Sequence, residues 1–431
     1  ARRGAARREG PSAPLPAMQK RGRVGDGEVE IARLAVGPSQ SYSGAFPKFN
    51  QPKEVACFSR AADRSVTFDR KALRPYRAPV LPAPLDVGFE TYVPKSATEE
   101  EPAPLKDVLD ALAHRKVDPR AHHFVTFRNN LNKIMLTPFN ARDDWEMGVQ
   151  RVGETGCIEL QVRETARKAA EEAARDERQQ RMCYWGYRFE QLSTSGPPAG
   201  RGGGGGGGSS GYRIASPSDL SSGAPLLGEG GLSEAEARRL KATYAHLQAE
   251  EAPAGAGGGE GAVNANEEFC SVLSLGLAGL RLLMSAEIDC ADERGAYVEL
   301  KTSRLFDSER QAASFERHKL LKFWLQSFLA GVPRIVVGLR DDAGVVRELR
   351  PLETMKIPRM VRGKQDMWDP SACLNFGKAV LEWLQQQVRQ LPAGASALLR
   401  YVPAEGALLL LRQHGEGEAP AAKRAAPSEW P

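Results

Sequence analysis

Residues 285–303, SAEIDCADERGAYVELKTS, carry charges where a packed strand pair should find them costly. Glu287 and Asp289 are two apart, and so are Glu299 and Lys301. Residues two apart on a strand share a face. The stretch therefore reads as two neighbouring strands joined by a short turn. Three carboxylates and one ammonium take one face, while Ile288, Val298 and Leu300 take the other and enter a core. Unpaired carboxylates that converge repel one another and pay a desolvation cost. A divalent cation that prefers hard oxygen ligands, Mg²⁺ or Mn²⁺, resolves the conflict. The competing reading is a solvated hairpin with alternating salt bridges.

Lys301 distinguishes the two readings. A pure cation cage has no use for an ammonium at its rim. A phosphate site does, because lysine orients water and offsets charge that develops on phosphorus oxygens. A D/E-x-D pair followed by E-x-K on an adjacent strand is the arrangement of metal-dependent phosphodiesterases of the restriction-nuclease type. The run HKLLKFWLQSFLAG adds a second polar set. Lys319, Lys322 and Gln326 sit at i, i+3 and i+7 of a helix expected over about 309–330, within roughly 60° of one another. Leu321, Trp324, Leu325 and Phe328 form its packed side.

Other elements must hold these residues in place. Helical spacing is read at 104–116, at 123–139 and, as a charged solvent-facing helix, at 163–182. CIELQV, 157–162, reads as a strand, while Tyr42–Val93 reads as irregular and poor in strands. EEFCSVLSLGLAG, 267–279, is expected to be helical. RIVVGLRDDAGVVREL is a hairpin turning at DDAG. A helix begins at Pro370 with Asp369 as its cap. LLRYV and ALLLLR read as closing strands. The tract GPPAGRGGGGGGGSSG makes 194–262 a flexible Gly-rich insertion within one catalytic domain, 39–412. Residues 1–38 and 413–431 are expected to be disordered tails.

The 431-residue chain has a net charge of +5. Seven basic residues among the first 23 face Glu9 alone, a local +6, so the remainder is close to neutral. Any polyanion site is therefore a local patch rather than a property of the whole surface. Cys57, Cys157, Cys183, Cys270, Cys290 and Cys373 show no zinc spacing. With no signal core and no apolar run of membrane length, a soluble intracellular chain with reduced thiols and no membrane partner is expected.

The runs WGYRFEQ (185–191), VNANEEFCSVL (263–273), AEIDC (286–290), YVELKTS (297–303) and HKLLKFWLQSFLAGVP (318–333), preceded by SGAFPKF and FVTFRNNLNKIMLTPF, resemble the decapping and exoribonuclease protein (DXO) family. The likeness covers roughly 40–195 and 262–403. It implies a mixed α/β fold, with mixed β-sheets surrounded by helices and a deep metal-containing pocket. It implies hydrolysis of incomplete, unmethylated and NAD caps and 5′-3′ degradation of RNA, in RNA 5′-end quality control. It further implies metal ligation by Glu190, Glu287, Asp289 and Glu299 and the main-chain carbonyl of Leu300. Lys301 and Gln326 would meet the attacking water or the scissile phosphate, and Arg128 an RNA phosphate. Lys319 and Lys322 join the expected substrate contacts from the helix stripe. Two Mg²⁺ or Mn²⁺ ions, the single-stranded 5′ end of capped or 5′-monophosphate RNA, a partner exonuclease, a monomeric state and a nuclear location complete the expectation. The alternatives are an RNA-bound scaffold that supports a partner exonuclease and a single-strand DNA nuclease with the same metal logic.

Overall fold

Two sheets carry the acidic residues, and the stretch 285–303 crosses from one sheet to the other. In this computed structural model, which describes residues 28–96, 105–153, 156–194 and 261–413, the larger sheet has ten strands. Their order is β1 (Glu28–Ala35), β15 (Ala407–Gln413), β14 (Ser396–Val402), β6 (Trp145–Val152), β7 (Cys157–Arg163), β5 (Phe124–Phe127), β9 (Leu280–Glu287), β8 (Glu268–Leu277), β2 (Phe49–Arg60) and β3 (Val66–Thr67). The smaller sheet runs β10 (Cys290–Ala291), β11 (Tyr297–Arg304), β12 (Arg334–Arg340), β13 (Val345–Glu353) and β4 (Ala83–Pro84). β5 is parallel to β7 and β9, and β11 is parallel to β12. The neighbours of β8 and β13 are antiparallel. The fold is mixed α/β, as the sequence implies.

The helices that matter are α1 (Lys106–His114), α2 (Arg128–Leu136), α3 (Ala166–Ala173), α4 (Glu177–Leu192), α5 (Glu309–Ser314), α6 (Leu320–Ala330) and α7 (Pro370–Val388). Leu321, Trp324 and Leu325 of α6 share one core with Leu131 and Ile134 of α2, Leu282 and Met284 of β9, and Ile335 and Val337 of β12. Each such side chain contributes about 1.5–3 kcal/mol on burial. The helix pair thus locks the two sheets into one frame. On the other face of the smaller sheet, Trp185 and Phe189 of α4 pack on Val298, Leu300 and Val336. Gly338 makes that approach feasible, because a Cβ there would lie 2.6 Å from the Phe189 ring. The DDAG turn closes at Gly344, whose φ of +76° suits glycine.

Several expectations need correction. Residues 267–279 are not a helix: β8 spans Glu268–Leu277, paired on both sides by β2 and β9. A short apolar run buried on two faces has no diagnostic period, and its neighbours decide. Residues 123–139 divide into β5 and then α2, because FVTF is aromatic and β-branched and sits between two parallel partners. The charged helix of 163–182 is two helices, the second starting at the capping box of Asp176 and Gln179. The region 42–93 is not strand-poor, since β2 runs twelve residues, with Pro52 tolerated at a register shift. Nor is all of 1–38 a disordered tail: Glu28–Ala35 is a strand on β15. The helix expected over 309–330 is present but contains a π turn at Phe315–Lys319. The closing strands form as read. Residues 195–260 and 414–431, which hold most of the insertion and the C-terminal tail, lie outside the described residues, as do 1–27.

All six cysteines are free thiols. Among the described residues no helix is long and apolar enough to cross a membrane.

Candidate active site

The acidic hairpin is not one strand pair. Glu287 closes β9 in the large sheet, Asp289 lies in the crossing, and Glu299 belongs to β11 of the small sheet. The crossing is short because Cys290 and Val298 are register partners, which places Asp289 beside Glu299 and Leu300. Asp289 Oδ2 accepts a hydrogen bond from the Leu300 N–H at 2.6 Å. The two-residue spacing therefore puts the acids together, but across a sheet-to-sheet step and not along one face.

Glu299 is buried, with 1% of its side chain exposed. Its Oε1 accepts from Lys301 Nζ and from Gln326 Nε2, each at 2.5 Å. Arg128 Nη1 stands 3.5 Å from Glu299 Oε2, and neither atom has a hydrogen-bond partner. Arg128 reaches this point because β5 ends beside β9, with Phe127 opposite Ser285, and α2 starts at the next residue. Asn130 secures the helix start by donating to Leu160 O at 3.0 Å. Lys301 Nζ also lies 4.0 Å from Asp289 Oδ2.

Glu190 comes from the last turn of α4, delivered by the packing of Phe189 on Gly338. It lines one carboxylate-walled cavity of about 80 Å³ together with Glu287 and Asp289. Burial raises the Glu190 pKa, and the charges of Asp289 and Glu287 raise it further. Asp289 is pushed up to about 7, first by burial and then by the charge of Glu299. Burial pushes Glu299 up as well, but Lys301 and Arg128 outweigh it and hold its pKa below the ordinary value. Burial opposes the charge of Lys301, yet Glu299 and Asp289 keep it firmly protonated.

The set can hold a divalent cation. Four carboxylates from a helix and two sheets share one neighbourhood, and burial together with the other acids raises the pKa of Glu190 and of Asp289. Among the described residues no three acidic, histidine or cysteine side chains already close on one point as a cage. The reason is visible in the contacts. Lys301 and Gln326 occupy Glu299, the Leu300 N–H occupies Asp289, and Lys95 Nζ stands 3.5 Å from Glu287. In this arrangement ammonium groups supply the positive charge.

Glu190, Glu287, Asp289, Glu299, Lys301, Gln326 and Arg128 are thus all brought to one place. Lys319 and Lys322 are not. Lys319 Nζ donates to Ser303 Oγ at 3.1 Å, and Lys322 is exposed on the rim of a neighbouring cavity. The π turn ends at Lys319, so the stripe of 319, 322 and 326 is divided. Lys95 was not legible in the sequence. It bonds the buried Glu268 at 2.6 Å, Glu268 in turn pairs with Arg60, and nothing local links residue 95 to residue 287.

The comparisons with known proteins give the family. The family model described as RAI1 like PD-(D/E)XK nuclease matches residues 50–202 and 241–423. The chain belongs to this family. The stretch that the model skips, 203–240, falls within the Gly-rich insertion. The human decapping and exoribonuclease protein is 34% identical over 372 residues, which is 81% of this chain and 78% of the relative. The decapping nuclease RAI1 of Neurospora crassa is 31% identical over 373 residues, 83% of this chain and 78% of the relative. Among solved structures, Rai1 of S. pombe in complex with 3′-FADP is 27% identical with a TM-score of 0.62, covering 89% of this chain and 99% of that one.

Proposed function

We propose that this chain is a metal-dependent hydrolase of RNA 5′ ends, removing incomplete, unmethylated or NAD caps and then degrading the exposed strand 5′ to 3′. The convergence of Glu190, Glu287, Asp289 and Glu299 around Lys301 carries this reading. The relatives named decapping nuclease and decapping and exoribonuclease protein support the RNA substrate, and the relative holding 3′-FADP supports a cap-like dinucleotide as ligand.

The carboxylates of Glu190, Glu287, Asp289 and Glu299 and the carbonyl of Leu300 would hold two Mg²⁺ or Mn²⁺ ions. Such ions, when bound, stabilise charge on phosphate oxygens and lower the pKa of water. Lys301 keeps its proton and offsets charge growing on the phosphorus oxygens. Gln326, bonded through its N–H₂ group to Glu299, has its amide oxygen left to orient a water. Arg128, charged and without a hydrogen-bond partner on Nη1, holds a phosphate beside Glu299. Cap removal and exonucleolysis both break a phosphorus–oxygen bond and use the same groups. The basic first 23 residues support a nuclear location and fall outside the described residues.

The test is incubation of purified protein with NAD-capped RNA, unmethylated-capped RNA, 5′-monophosphate RNA and the equivalent single-stranded DNA, with and without Mg²⁺ or Mn²⁺. We expect metal-dependent loss of capped and monophosphate RNA. RNA binding with no hydrolysis in any arm makes the chain a scaffold, and cleavage of DNA at the RNA rate makes it a general single-strand nuclease.

A further inference from the structure

A second cavity adjoins the site behind the bond between Gln326 and Glu299. It encloses about 240 Å³ and draws one lysine from each of three helices, Lys133 of α2, Lys168 of α3 and Lys322 of α6. Gln326 lines it too, so it abuts the residue that touches Glu299. Three ammonium groups around one hollow repel one another and focus a positive potential into it.

Counter-charge in the cavity falls short of the basic charge, two aspartates against three lysines. The Lys133 side chain is only 10% exposed, and among the described residues its carboxylate partner is Glu164 at 3.3 Å. Among the described residues Lys168 and Lys322 make no ion pair. Of the two aspartates of the wall, Asp144 is paired with Arg167, whose Nε donates to its Oδ1 at 2.7 Å, while Asp143 accepts from the neutral Asn140 amide at 2.7 Å and keeps its charge. Burial lowers the Lys133 pKa; the Glu164 charge opposes that effect and Lys168 adds to it. The rim is open, because Asn129 and Lys322 are exposed. The cavity of the site itself presents Glu190, Glu267, Glu268, Glu287 and Asp289. Phosphates beyond the scissile one find no added counter-charge at that wall and are accommodated by the lysines.

We propose that the lysine cavity seats the backbone phosphates of the RNA strand on the 3′ side of the bond that is cut. The proposal rests on the RNA-hydrolase reading above and assigns Lys133 and Lys168 to substrate binding together with Lys322. The open rim lets the remaining strand run out to solvent, and the adjoining Gln326 places the first of these phosphates one step from the scissile one.

The test compares the wild type with a Lys133→Gln/Lys168→Ala variant and with the surface charge reversal Lys168→Glu alone. Each is assayed on a 5′-monophosphate dinucleotide, a long 5′-monophosphate RNA and the same long RNA with an NAD cap. For the double variant we expect the ratio of kcat/KM on the long RNA to that on the dinucleotide to fall about tenfold, mostly through KM, with Lys168→Glu moving it in the same direction. The salt dependence of long-RNA binding should also weaken, by about 1.4 in log–log slope for two contacts at roughly 0.7 each on a single strand. An unchanged ratio overturns the proposal, as does a defect confined to the capped RNA, which would put the cap side of the substrate in this cavity. Failure of the wild type to cleave any of the three RNAs would instead overturn the hydrolase reading itself.

Discussion

Replacing Asp289 by alanine lowers both cap hydrolysis and 5′-3′ degradation by about 10³-fold or more. The side chain has two functions that no neighbour duplicates. Its Oδ2 is fixed by the Leu300 N–H, which ties the carboxylate to the strand carrying Glu299 and Lys301. Its charge is also one of those that makes a divalent ion favourable in the pocket. A bound ion contributes several kcal/mol of charge stabilisation in phosphoryl transfer, and about 4 kcal/mol corresponds to about 10³-fold in rate. Because both activities use one site, both must fall together. The measurement is single-turnover cleavage of NAD-capped and 5′-monophosphate RNA at saturating Mn²⁺. Loss of one activity with retention of the other would show that cap removal and exonucleolysis use different centres.

The second large effect is on stability, and its sign follows from the perturbed acids. In the unfolded chain Glu190 and Asp289 ionise near pH 4. In the folded, metal-free protein Asp289 holds its proton to about pH 7, and Glu190 is raised as well, by burial and by its acidic neighbours. Below about pH 4 the groups are protonated in both states and folding carries no penalty. As pH rises from about 4 to about 7 the unfolded state gives up protons that the folded state must keep, so stability falls. For Asp289 alone this is on the order of 4 kcal/mol. Glu299, held low by Lys301 and Arg128, acts in the opposite sense, its contribution being lost only as pH falls through its lowered pKa. Thermal melts of metal-free protein should therefore drop by several degrees across that interval, and Mn²⁺ should restore more at pH 7 than at pH 5. Calorimetry near pH 6 should show proton release as Mn²⁺ binds. A melt that is flat with pH and indifferent to Mn²⁺ would mean that the acids do not share one field.

The sequence disclosed the chemistry more fully than the scaffold. Glu287, Asp289, Glu299 and Lys301 stood out because carboxylates two apart between Ile288, Val298 and Leu300 conflict with burial, and that conflict is local. Glu190 did not stand out by spacing: it is brought in by α4 packing through Phe189 against Gly338, a contact between residues remote in sequence, and family likeness found it. From sequence alone β8 reads as a helix and β5 as a helix start because both are apolar and buried on two faces, so tertiary neighbours and not periodicity fix their conformation. β1 reads as a tail from sequence alone because its strand character depends on β15, some 370 residues later. The partnership of Lys95 with Glu287 and the three-helix lysine cavity were hidden for the same reason.

The most direct test of a shared cation site is anomalous scattering from crystals equilibrated with Mn²⁺. The account predicts peaks bounded by the carboxylates of Glu190, Glu287, Asp289 and Glu299 and by the carbonyl of Leu300, with Lys301 withdrawn from Glu299 towards the substrate side. Absence of a peak among these groups in a crystal that binds Mn²⁺ elsewhere would contradict it.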